Sequence, residues 1–146
     1  MKIIAGVDEV GRGSLIGPVY AAAVILKKFI NKKLLKDSKK ITKSKREILA
    51  KYIKKNSLWA IGKASVKEIE KINILNASLL AMKRAIVKLS KKPSLVLIDG
   101  NKLPEIKWTD ALTLSLLRLG GFGTNLEIYN ISIMCLTENK TWLKRC

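Results

Sequence analysis

Histidine is absent from this chain of 146 residues. That excludes Ser-His-Asp and Cys-His nucleophilic catalysis and every His-ligated metal site, and leaves carboxylates, lysine, serine and metal ions to carry any chemistry. Cysteine is scarce: Cys135 and Cys146 have neither metal-ligand spacing nor the makings of a disulfide framework. Long hydrophobic runs are missing too. The longest, VYAAAVIL at residues 19–26, is far below the roughly 20 residues that a membrane-spanning helix needs. The opening MKIIAGVDEV meets acids before any extended apolar core, so no signal peptide is expected, no membrane is expected as a partner, and a cytoplasmic location is the default. Aromatic residues make up only 5% of the chain, and Trp59, Trp108 and Trp142 show no spacing of a base-stacking platform.

Acids are the other scarcity. Asp and Glu number 11 against 29 Lys and Arg, a formal net charge of +18. Such a field attracts polyanions, of which nucleic acid is the commonest that a soluble chain meets. Lysine enrichment on solvated faces through genome composition explains the charge equally well, since only five of the cations are Arg. A hydrophobic share of 48% suffices for a core, and the length suits one domain.

KIIAGVDEV reads as a short β-branched strand. GRGSLIGP, with three glycines and a proline, is a tight loop, and VYAAAVIL is a second strand in hairpin relation to the first. Residues 27–45 are strongly basic, with Asp37 as their one acid. Ser44 followed by Glu47 matches a capping box and predicts a helix start, with Ile48, Leu49, Tyr52 and Ile53 as its apolar face. LWAIGKAS predicts a third strand and VKEIEKI a short helix. Asn73 then caps a longer helix whose core stripe is Leu75, Leu79, Met82, Ile86 and Leu89. SLVLIDG is a buried strand ending at Asp99. The order implies an α/β domain with a mixed sheet. Past Lys107 the texture changes: residues 1–107 carry a net +17, residues 108–146 a net +1 with apolar content but no clear period.

Two of these strands end on acids. If they are neighbours, Asp8, Glu9 and Asp99 converge where strands give way to loops, the usual place for a site in an α/β sheet. Clustered carboxylates repel unless a cation sits among them. Oxygen ligands without His or Cys select Mg²⁺ or Mn²⁺, and a ring of lysines around them suits a phosphodiester substrate. Taken singly, an Asp-Glu pair, a Gly-Arg-Gly or an Asp-Gly is as well read as a solvated turn.

AGVDEVGRGSLIGPVYAAAVIL, LKDSKKIT, GKASVKEIEKINILNASLLAMKRA and LVLIDGNKLP, taken together over residues 3–104, resemble the ribonuclease HII family. The resemblance implies a ribonuclease H-like mixed sheet flanked by helices, incomplete here at the C-terminus. It implies an endoribonuclease using two divalent ions, Mn²⁺ or Mg²⁺, that cuts the RNA strand of RNA–DNA hybrids and nicks 5′ to single ribonucleotides in DNA. The products would carry a 5′-phosphate and a 3′-hydroxyl. Asp8, Glu9 and Asp99 would then be the catalytic, metal-holding carboxylates. Gly11, Arg12 and Gly13 would meet the nucleic-acid backbone and the ribose 2′-OH, and Ser38 and Lys39 would contact the substrate backbone. The protein would act as a monomer.

The chain departs from the family pattern at Ser14, where a proline is usual, and more deeply past Lys107. The later acids and the tyrosine of the pattern have no counterpart in their proper surroundings; Asp110, Glu127, Glu138 and Tyr129 stand in other contexts. The expectation is therefore a catalytic core over residues 1–107 and a divergent tail over 108–146, frameshifted or truncated in origin. The alternative function is a catalytically impaired remnant of the family that only binds nucleic acid.

Overall fold

The computed structural model describes residues 3–13, 17–27, 42–99, 102–106 and 115–119; of Asp99 and residues 115–119 only the backbone is described. No helix among the described residues is long and apolar enough to cross a membrane.

The chain runs β1 (Ile4–Val10), β2 (Val19–Leu26), α1 (Lys43–Asn56), β3 (Ser57–Ala64), α2 (Val66–Val87), β4 (Leu95–Asp99) and β5 (Ser115–Leu119). The five strands form one sheet in the order β3-β2-β1-β4-β5. The β1–β2 pair is antiparallel, as the short glycine-rich loop between them favours, and β2–β3 is antiparallel too. β4 lies parallel to β1, and β5 parallel to β4. The α/β class with a mixed sheet is thus present. β5 answers to no strand read from the sequence. SLLRL is short, leucine-rich and interrupted by Arg118, so it lacks both the alternation and the β-branched residues that mark the other strands.

Alternation along the strands gives the sheet two covered faces. Ala5 and Val7 of β1, Ala21 and Ala23 of β2, Ala60 and Ala64 of β3, and Val96 and Ile98 of β4 form one core with Ala77, Ala81, Met82, Ala85 and Ile86 of α2. Ala22 and Val24 of β2 turn to the other face and meet Ala50 and Ile53 of α1. Full burial of a side chain such as Ile53 or Ile86 contributes about 1.5–3 kcal/mol.

The two helices depart from their expected patterns in instructive ways. α1 begins earlier than Ser44: Thr42 is its extended N-cap residue, and the Thr42 carbonyl accepts the Arg46 N–H at 3.0 Å. Ser44 therefore falls inside the first turn, where its hydroxyl cannot cap. Ile48 is 66% exposed and Tyr52 is exposed, because Ala50 and Ile53, not those two, face the sheet. In α2 the expected break at Asn73 is real. Asn73 has φ 67° and ψ 166° within the helical span, and its Oδ1 accepts the Asn76 N–H at 3.0 Å. Asn is among the few side chains that tolerate positive φ. The core stripe is rotated toward alanine: Met82, Ile86 and Leu89 are buried as expected, but Ala77, Ala81 and Ala85 make the closest approach while Leu75 and Leu79 are only partly buried. Gly62 on β3 is the reason. A Cβ there would collide with the Ala81 carbonyl and the Ala85 nitrogen, so helix backbone lies directly on strand backbone.

Candidate metal and nucleic-acid site

β1 ends beside β4, with Val7 opposite Ile98; the next residue along each strand is Asp8 or Asp99. The parallel pairing thus brings both acids to the carboxyl edge of the sheet's centre. It is fixed at the other end by the Ser94 N–H, which donates to the Ile3 carbonyl at 2.9 Å, and by the Ile3 N–H, which donates to Ser94 Oγ at 3.0 Å. Asp99's side chain lies outside the described residues, as do Ser38 and Lys39 entirely.

Asp8 is buried at 6% exposure, and its Oδ1 accepts the Glu9 N–H at 2.8 Å. Glu9 is differently held. Its Oε1 accepts from Arg12 Nη1 at 3.1 Å, while its Oε2 is buried with no hydrogen-bond partner among the described residues. A buried carboxylate oxygen without a donor is costly, and a cation is the natural remedy.

The two acids do not converge as simply as their adjacency suggests. Asp8 pairs with Ala22, whose side chain packs toward α1, and Glu9 pairs with Ala21, which packs toward α2. Directly opposed residues share a face, so Asp8 and Glu9 address opposite faces of the sheet. Among the described residues no three Asp, Glu, His or Cys side chains gather closely enough to hold a metal ion. The expected pocket of Asp8, Glu9 and Asp99 includes a side chain outside the described residues; within them, the period of a strand turns the neighbours Asp8 and Glu9 apart.

The loop after β1 separates the roles of its glycines. Gly11 has φ 99°, and a Cβ would sit 3.1 Å from the Pro18 carbonyl oxygen, so the return of the chain into β2 requires glycine. Among the described residues, nothing lies within 4 Å of where a Cβ on Gly13 would be. Arg12 between them is half exposed.

The sequence profile of "Ribonuclease HII" matches residues 5–113. The chain belongs to the ribonuclease HII family. A relative named Ribonuclease HII from Pelagibacter ubique is 82% identical over 107 residues, covering 73% of this chain and 58% of its own length. Another, from Paracoccus denitrificans, is 56% identical over 103 residues, covering 70% and 49%. These alignments therefore span only about half the length of those relatives. A third, from Bacteroides thetaiotaomicron, is 46% identical over 147 residues, covering 98% of this chain and 70% of its own length. Among solved structures, the ribonuclease H2 of Pyrococcus horikoshii superposes with TM-score 0.76 at 22% identity, over 99% of this chain and 74% of that one. Bst-RNase HIII in complex with Mn²⁺ gives 0.69 at 18%, over 99% and 53%. At such identities these two speak for the fold, which is the ribonuclease H-like sheet flanked by helices.

The sequence missed the partnership of Glu68 with Arg84. Arg84 Nη2 and Nη1 donate to Glu68 Oε1 and Oε2 at 2.6 and 2.9 Å. Ser65 caps α2 reciprocally: the Glu68 N–H donates to Ser65 Oγ, and the Ser65 N–H donates to Glu68 Oε2. The Arg84 hydrogen bonds, followed by that from the Ser65 backbone, pull the Glu68 carboxyl down to about 2. The signal was available, since Ser65 and Glu68 stand at capping-box spacing.

Proposed function

We propose that the chain is a divalent-metal-dependent endoribonuclease. It acts on the RNA strand of RNA–DNA hybrids and nicks DNA 5′ to single ribonucleotides, leaving 5′-phosphate and 3′-hydroxyl ends. The observation that carries this reading is the buried Oε2 of Glu9, without a donor among the described residues, at the end of the strand whose buried Asp8 lies next to β4 and Asp99. These residues fit a hard cation: their donors are carboxylate oxygens, the chain has no histidine, and among the described residues one oxygen lacks any protein donor and no thiol stands nearby to favour Zn²⁺.

Asp8, Glu9 and Asp99 would hold Mn²⁺ or Mg²⁺. When bound, such ions supply an activated water and neutralise charge at the leaving oxygen. The chain's own contribution is placement. The φ of Gly11 turns the loop back across the strand ends, and Gly13, which nothing internal obliges to lack a side chain, leaves room for a sugar-phosphate backbone. A ribose 2′-OH reaching that backbone is the feature that distinguishes RNA from DNA. Arg12, half exposed, can turn from Glu9 to a phosphate. Ser38 and Lys39 are proposed as further backbone contacts, and the net +18 adds affinity that falls with salt.

The test is nicking of a labelled duplex carrying one ribonucleotide, with Mn²⁺ or Mg²⁺, beside Asp99→Asn and Asp8→Asn. Metal-dependent cuts 5′ to the ribonucleotide, lost in both variants, support the reading. The loss of the family's later acids past Lys107 favours the second reading, a remnant that binds but does not cut. Salt-sensitive binding without nicking by a folded protein would establish that one instead.

A further inference from the structure

β3 is the outer strand on its side of the sheet, and among the described residues no strand lies beyond it. Its sequence, SLWAIGKA, holds one charge, no proline and an alternating pattern over eight residues. A bare edge of that kind is a template for another strand. Here the edge is not bare. Arg84 Nη1 donates to the Lys63 carbonyl at 2.7 Å, and Lys88 Nζ donates to the Ile61 carbonyl at 3.4 Å.

The match is one of spacing. Residues four apart on a helix rise about 6 Å, and residues two apart on a strand advance about 6.6 Å. Arg84 in the last turn of α2 and Lys88 at its C-cap, four residues on, therefore reach the carbonyls of Lys63 and Ile61, two residues apart on β3. They can do so because Gly62, between those carbonyls, lets the helix backbone lie against the strand. Arg84 is fixed for this purpose by Glu68, which is itself fixed by Ser65 at the end of β3.

We propose that Arg84 and Lys88 form a guard on the β3 edge, occupying the carbonyls through which a second copy of this chain would pair its own β3, with Glu68 as the residue that positions Arg84. Antiparallel pairing of two identical edges about a two-fold axis is self-complementary, so the same chain is the partner that the edge fits without further design.

The test compares self-association of the full chain with that of Arg84→Ala/Lys88→Ala, Lys88→Ala and a charge-matched control, Lys67→Ala/Lys83→Ala, by sedimentation velocity over a concentration series. Lys67 and Lys83 are exposed on α2. The guard predicts that the first variant associates at least about tenfold more tightly than the parent. Lys88→Ala should fall between the two, and the control should match the parent. Hydrogen exchange should show β3 amides gaining protection as concentration rises. Should the double variant fail to fold by circular dichroism, Lys88→Ala decides alone. Association no tighter than the control's, or tightening equal to the control's, or protection gained elsewhere than β3, would overturn the proposal.

Discussion

Two glutamate–arginine pairs stand at the same end of the sheet, one after β1 and one after β3, and they are built differently. At the α2–β3 corner, both oxygens of Glu68 are engaged: Arg84 meets each of them, and Ser65 adds its N–H and hydroxyl at 2.9 and 3.1 Å. At the end of β1, Glu9 has one oxygen on Arg12 at 3.1 Å and the other buried with nothing. The first pair is closed and the second is open. A carboxylate that serves the fold is surrounded until no valence is left, whereas one placed for a ligand keeps a valence in reserve.

The sharpest break in that contrast is Glu9→Gln. We expect at least about 100-fold less nicking, given that even an outer partner of a metal ligand costs 10–100-fold. Urea unfolding should show little loss of stability, since the substitution removes a buried carboxylate oxygen without a donor and gives up only a half-exposed ion pair to Arg12. Next in size is Gly62→Ala, which pushes α2 from β3 and loosens the closed pair. It should cost roughly 1–3 kcal/mol in chemical denaturation, as overpacking does. Smaller again is an acid effect. The Glu68 carboxyl is depressed from 4.5 to about 2 in the folded chain, so its contribution is fully present above pH 4.5 and fades as pH falls toward 2. Stability measured across that window should slope less in Glu68→Gln than in the parent. Smallest is Arg12→Ala, an exposed single contact whose removal should change stability by under about 1 kcal/mol. It should nevertheless weaken hybrid binding and flatten its salt dependence, measured by fluorescence anisotropy.

Much of this was legible along the chain. β1, β2 and β4 stand out because β-branched or alanine-rich runs are bounded by glycine or proline. The break at Asn73 showed because a capping residue sits between two helical patterns. What misled was local chemistry whose meaning depends on neighbours. Ser44-Glu47 and Ser65-Glu68 are the same motif, yet only the second caps a helix, because only there does the strand end directly before the serine. The stripe on α2 was read toward its leucines because size usually marks the core; the glycine on β3 that selects alanine lies about twenty residues away in sequence. At the site, residue types pointed to Asp8 and Glu9, but only the register shows that they face opposite sides of the sheet.

The pairing of β1 with β4 also sets an order in time. Ile3 bonds to Ser94 across 91 residues, whereas β1 and β2 adjoin in sequence. At ribosomal rates of about 5–20 residues per second, the first strand waits roughly 5–20 s for its parallel neighbour to be made. Through that interval the β1–β2 hairpin and then β3 can assemble, but Asp8 has no β4 beside it. The nascent chain therefore acquires its scaffold before its acidic centre, and a ribosome stalled before Ser94 would hold a folded hairpin with nothing yet to grip a cation.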